Sequence, residues 1–213
     1  MCPRAAPIPG ERGQATPWLG YGASVPDRLP LAVLVGGAPG SGKTTLADAL
    51  AVGLDLPVLH KDPLVHGRWR TLDRATELGE SGVEPFFRSM ELWIETGISF
   101  VAEQTFYAGV SESDVGTRLA PRSTLVNVHC RSVHSLERWE QRMRNDPLCG
   151  EMRLQKLMPI VERLTADLNE PLDFGCPSVV VNTDDGYQPT LETIIAQIDD
   201  RYSRPGIHDL DRA

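Results

Sequence analysis

Residues 31–45 read LAVLVGGAPGSGKTT, and the fold is decided there. The run 31–35 is continuously apolar and bounded by Pro30 and by Gly36-Gly37, the pattern of a strand buried on both faces. Gly37-Ala38-Pro39-Gly40-Ser41-Gly42-Lys43-Thr44 then matches G-x-x-x-x-G-K-[ST] in full. Gly40 and Gly42 let the backbone turn without a Cβ, so that successive amides converge on phosphate oxygens. A helix opening near Lys43 offers unpaired amides and the positive end of its dipole. Lys43 can reach the β- and γ-phosphates, and the Thr44 hydroxyl can ligate Mg²⁺. The expected nucleotide set is Gly37, Ala38, Pro39, Gly40, Ser41, Gly42, Lys43, Thr44 and Thr45.

Outward from this stretch the chain alternates strands and helices. Leu46, Ala49, Leu50 and Leu54 recur at helical spacing, followed by short strands at 57–60, 99–103, 124–130 and 178–183. Phe86, Met90, Trp93 and Ile94 mark a helix before the third strand. Leu136, Trp139 and Met143, then Leu154, Leu157, Met158, Val161, Leu164 and Leu168, mark two more before the fifth. Leu191, Ile194, Ile195 and Ile198 close the chain with an amphipathic helix. The expectation is an α/β fold with a five-stranded parallel sheet, helices on both faces and a helical lid insertion. Ligands bind such sheets beyond the carboxyl ends of the strands. We place the domain at 30–203, with the lid at about 131–177. Residues 1–29, rich in Pro and Gly and without periodicity, read as an irregular arm, and 204–213 as a tail.

Composition narrows the function. The 213 residues carry a net charge of −8, with 29 acidic against 21 basic side chains, which argues against nucleic acid as a partner. No run approaches the roughly 18 apolar residues of a membrane helix, and the opening MCPRAAPIPGERGQ has no secretory apolar core. Four scattered cysteines (Cys2, Cys130, Cys149, Cys176) support neither a zinc site nor a disulfide framework and fit reduced thiols in the cytoplasm. A homodimer stays open.

A GTP switch would need an N-K-x-D loop, which is absent, and a motor an apolar run ending in Asp-Glu, where this chain has Glu103-Gln104. A kinase needs a carboxylate for an acceptor hydroxyl and a mobile arginine-bearing lid. Asp62, after the second strand, can take or orient the hydroxyl proton, or can cap a helix with Pro63 behind it. Glu103 can hold Mg²⁺ through water, bind a substrate hydroxyl, or serve only a loop hydrogen bond. Arg138 and Arg142 share one helix face and can close on a triphosphate; the competing reading is a salt-bridged solvent face with Glu137, Glu140 and Arg144. Arg131 and Arg144 are undecided.

The P-loop, LPVLHKD (56–62), VHCRSVHSLERWEQR (128–142) and VVNTDDGYQPTLETIIAQI (180–198) together resemble small P-loop phosphotransferases. These are the AAA-type predicted kinases that include chloramphenicol phosphotransferase-like enzymes and, more distantly, zeta-toxin-like kinases. The resemblance covers roughly 31–200 and implies γ-phosphoryl transfer from ATP or GTP, with Mg²⁺, to a hydroxyl of a small molecule. It implies Asp62 as base, Arg138 and Arg142 as lid arginines, and Thr183, Asp184 and Asp185 as the loop against the nucleotide base. Between 144 and 177 the chain carries a longer helical segment than the resemblance implies.

For the acceptor, His66, Trp69, Glu103, Phe106 and Tyr107 are expected around Asp62, the aromatics forming an apolar wall. Arg68, Arg70 and Arg74 are further polar handles. A flat, partly apolar acceptor follows, such as an antibiotic or nucleoside; the excess of Arg over Lys suits a GC-rich antibiotic producer, and self-resistance by phosphorylating a capuramycin-type nucleoside is the specific expectation. The alternatives are a nucleotide or polynucleotide-end kinase and a nucleotide-binding regulator without transfer.

Overall fold

The computed structural model describes residues 28–72, 82–145 and 151–203. The expected arm, but for its last two residues, and the tail lie outside them, as do Cys2 and Cys149. Five parallel strands form one sheet: β1 (Leu31–Gly37), β2 (Val58–His60), β3 (Phe100–Glu103), β4 (Thr124–Arg131) and β5 (Ser178–Asn182), in the order β2-β3-β1-β4-β5. β1 is central and buried along its whole length, which is why it reads as an uninterrupted apolar run.

Alternation along β1 builds two cores. Leu31, Val33 and Val35 face Leu46 and Leu50 of α1 (Lys43–Leu54) and Ile194 and Ile198 of α7 (Leu191–Ser203). Ala32 and Leu34 face Phe86, Phe87 and Met90 of α3 (Val83–Glu95). Right-handed crossovers put helices on opposite faces where neighbouring strands are left in opposite directions: β1 connects past β3 to β2, and β3 connects past β1 to β4. That reversal falls between β1 and β3, so a crevice opens at their carboxyl ends. In register there, Val35 lies beside Glu103, His60 beside Glu103, and Gly37 beside Cys130.

The strands match their expected positions to within two residues. Thr183, expected inside the fifth strand, falls just beyond β5. Helix α2 (Lys61–Leu72) starts directly after β2, so Asp62 lies inside its first turn and is not its cap; no loop intervenes in which a cap could sit. The stretch 104–123, unassigned by periodicity, holds a short α4 (Ser111–Asp114), a π-helical turn (Val115–Leu119) and a 3-10 turn (Ala120–Arg122). Arg118 fastens that segment to α3, donating to Glu91 at 2.9 and 3.1 Å and to Glu84 at 2.8 Å, with its guanidinium 4.9 Å from the Phe87 ring centre. Helices α5 (Ser135–Arg144) and α6 (Glu151–Asp167) share a small core of their own around Trp139, Leu154 and Val161. Cys130 is a buried free thiol, which burial pushes up to a pKa of about 12, and Cys176 is a half-buried one. No helix among the described residues is long and apolar enough to cross a membrane.

Candidate active site

The loop between β1 and α1 takes the shape its glycines were expected to permit. Gly37, Gly40 and Gly42 have φ of 138°, 83° and 86°, a region costly for any residue with a Cβ. A Cβ on Gly40 would run into the Ser135 carbonyl at the start of α5, so the loop and that helix are in close contact. Gly42 caps α1 without a side chain, leaving the first-turn amides to an anion. The Ser41 hydroxyl is buried with no hydrogen-bond partner among the described residues. A loop of left-handed glycines with an orphaned hydroxyl, closed by a largely buried lysine, fits a nucleotide's phosphates.

Lys43 Nζ lies 3.4 Å from the Ala38 carbonyl and 3.8 Å from Glu103 Oε1. Burial lowers its pKa; Glu103 and then Asp62 push it back up, and Arg142 lowers it further. Glu103 is thus in direct range of the lysine, and the charges of Asp62 and Arg142 are felt at it. Thr44 and Thr45 are exposed in the first turn of α1, open to a metal or phosphate oxygen. Among the described residues no group of three or more His, Cys, Asp or Glu side chains could hold a metal. Thr44 and Glu103 are the side chains at the cradle that could hold a Mg²⁺ bound to a nucleotide.

Glu103 is buried, and its second oxygen is 3.0 Å from His60 Nδ1; His60 Nε2 is 2.9 Å from Asp48 of α1. Burial acts to lower the His60 pKa, but the hydrogen bonds to Glu103 and Asp48 outweigh it and the net shift is upward. Sequence reasoning gave His60 and Asp48 no role. The signal was a polar residue closing an otherwise apolar strand.

Asp62 is exposed at the mouth of this cleft. Tyr107 is near enough that the Asp62 charge, after burial, raises its pKa. The Lys61 ammonium, on a largely buried residue, sits 5.8 Å from the Tyr107 ring centre. Phe106, expected in the acceptor wall, is instead core: it is buried, meets the Phe174 ring edge-on at 5.2 Å and presses on Gly36. In the irregular segment after β3, Phe106 turns into the core while Tyr107 lies within range of the Asp62 charge. His66 and Trp69 lie on α2, but their side chains, with those of Arg68 and Arg70, fall outside the described residues, as does Arg74.

The arginines divide. Arg138 is spent on the loop after β5, donating to the carbonyls of Thr183 at 3.2 Å and Asp184 at 3.1 Å. Arg142, one turn on, is exposed and forms no ion pair among the described residues. Arg144 pairs with Glu140 at 2.6 Å and Glu151 at 3.5 Å on the surface, and Arg131 with Glu170 at 3.6 Å. Thr183 donates to the Ser41 carbonyl at 2.7 Å, tying the loop to the phosphate cradle. Asp184 accepts from Ser132, which lowers its pKa, and from Asn182 at 3.1 Å. Both are engaged in building the loop; Asp185 is exposed beside them.

Residues 20–66, spanning the cradle and Asp62, match the family model of the zeta toxin. No curated protein matches the chain. A candidate kinase from Chloroflexus aurantiacus j-10-fl superposes with a TM-score of 0.67 over 82% of this chain and 99% of its own, at 21% identity. The two share one fold, a five-stranded parallel sheet flanked by helices in this chain. A gluconokinase from Sinorhizobium meliloti 1021 gives 0.56 at 16% identity, covering 82% of this chain and 95% of its own. Chaetomium thermophilum Kti12, in complex with ADP-AlF3, gives 0.55 at 14% identity, covering 82% and 100%.

Proposed function

We propose that the chain is an O-phosphotransferase that moves the γ-phosphoryl group of ATP or GTP, with Mg²⁺, to a hydroxyl of a small molecule. The observation that carries this reading is the field at Lys43. A largely buried phosphate-loop lysine lies 3.8 Å from Glu103; the charges of Glu103 and Asp62 raise its pKa and that of Arg142 lowers it. Binding alone needs only the cradle; a carboxylate at the cleft mouth and a free arginine are what transfer adds.

Lys43 and the α1 amides would hold the β- and γ-phosphates, and Thr44 and Glu103 would hold Mg²⁺. Bound Mg²⁺ supplies charge neutralisation on the phosphate oxygens. Asp62 orients the acceptor hydroxyl and takes its proton as the new O–P bond forms and the bond to the β,γ-bridging oxygen breaks. Arg142 stabilises charge on the transferring group, while Arg138 and Asp184 keep the loop carrying Asp185 in place beside the nucleotide base.

The acceptor we favour is a flat, partly apolar hydroxylated compound, as in chloramphenicol phosphotransferase-like enzymes: an antibiotic, with self-resistance against a nucleoside antibiotic in the cytoplasm as the specific case. The Tyr107 ring beside Asp62 supports it, since it offers one apolar face at the reacting end of the cleft. The test is incubation with ATP or GTP and Mg²⁺ against nucleosides, nucleotides, sugar acids and hydroxylated antibiotics, read by mass spectrometry. A phosphorylated antibiotic or nucleoside is the expected product. Phosphorylated nucleotides or polynucleotide ends would replace this acceptor class, and binding without turnover would make the chain a nucleotide-binding regulator.

A further inference from the structure

Asp48, His60, Glu103 and Lys43 form a chain of contacts that phosphoryl transfer as proposed leaves unexplained. His60 closes β2 and Glu103 closes β3, and the parallel register sets them side by side. The two ring nitrogens of His60 each face a carboxylate, at 2.9 Å for Asp48 and 3.0 Å for Glu103. The other Glu103 oxygen is 3.8 Å from Lys43. A glutamate at a strand end has several staggered rotamers of similar energy. Here one oxygen is taken, and the second is left aimed at the phosphate-loop lysine. Asp48, exposed on α1, meets the far nitrogen of the ring.

We propose that His60 is a positioning residue: it holds Glu103 in the orientation that presents one oxygen to Lys43 and the Mg²⁺-nucleotide, and itself touches neither. The inference rests on the cleft being a nucleotide site. Groups that orient a ligating carboxylate or histidine in this way change metal affinity or activity by typically 10–100-fold when removed.

The test is calorimetric titration of the full chain with ATP and with GTP, in Mg²⁺ and in EDTA, for two variants. His60→Asn places an amide nitrogen near Nδ1, keeping the bond to Glu103 and giving up Asp48. His60→Gln places it near Nε2, keeping Asp48 and giving up Glu103. Affinity gained on adding Mg²⁺ should fall about 10–100-fold in His60→Gln and stay near wild type in His60→Asn. Affinity in EDTA and the melting temperature should be alike in both. In a Glu103→Gln background, His60→Gln should add nothing, because the two act as one unit. Equal losses in both variants, wild-type behaviour in both, additivity with Glu103→Gln, or a loss that tracks melting temperature would each overturn the inference. A wild-type chain that binds neither ATP nor GTP would remove the nucleotide reading and this inference with it. One that binds either but phosphorylates no acceptor would remove transfer alone and leave the His60 result standing.

Discussion

Replacing Asp62 by Asn removes a basic carboxylate while keeping its size and most of its hydrogen-bonding geometry. Loss of a positioned acid–base group lowers transfer by roughly 10²–10⁴-fold. At about 1.36 kcal/mol per decade this is about 2.7–5.4 kcal/mol of transition-state stabilisation. The structure predicts a far smaller effect on folding. Asp62 is exposed in the first turn of α2 and is not its cap, so folding loses chiefly its interaction with the helix dipole, about 0.3–1 kcal/mol, beside a solvent-screened attraction to Lys43. For a domain of this size that is a melting shift of at most about 4 °C. Nucleotide affinity at neutral pH should change little, since Lys43 and the loop amides supply it. At alkaline pH it should not stay constant. The Asp62 charge raises the pKa of Lys43 against the lowering by burial, so its removal lets Lys43 lose its proton at a lower pH. The alkaline limb of nucleotide binding should move down in pH accordingly. Single-turnover transfer, nucleotide Kd against pH and melting temperature, all on the one variant, check the set. A stable, nucleotide-binding Asp62→Asn protein with the wild-type transfer rate would refute the assignment and make Glu103 the next candidate.

Lys43→Ala should leave the fold intact and abolish triphosphate binding, measurable by titration, because the nearby Lys61 is engaged over the Tyr107 ring. Arg142→Ala should lower kcat more than it raises KM, by up to the order of 10³-fold known for arginine fingers; an unchanged kcat makes it a solvated residue. Arg118→Leu should destabilise toward the lower end of the about 3–5 kcal/mol for breaking a buried pair, since Arg88 remains 3.4 Å from Glu91. The bonds from Arg118 hold Glu91 below the ordinary carboxylate range, so their stabilisation is complete above that range and lost as pH falls through the lowered pKa. The variant should therefore show a flatter decline of stability in acid, read by denaturant unfolding against pH.

The sheet, its helices and the phosphate cradle were legible in the sequence because each is specified locally. A strand buried on both faces must be apolar throughout, as 31–35 is, and a loop that wraps phosphate must place glycine at left-handed positions, as at Gly40 and Gly42. The stretch 104–123 was not legible, because a π-helical turn follows no fixed apolar period and is held by Arg118 reaching back to α3.

Which charged groups meet was settled only by the tertiary structure. Strand order and register set His60 beside Glu103, which are 43 residues apart, and no spacing rule connects them. Arg138 and Arg142 look alike on a helical wheel, yet one is bound to the carbonyls after β5 and the other is exposed, because only Arg138 is opposite that loop. Phe106 and Tyr107 are sequence neighbours of similar character, and the direction of the chain leaving β3 sends one into the core and the other toward Asp62. Local sequence determines which backbone shapes a segment can adopt; the partner of each side chain depends on segments far away in the chain, and those meet only once the sheet is assembled.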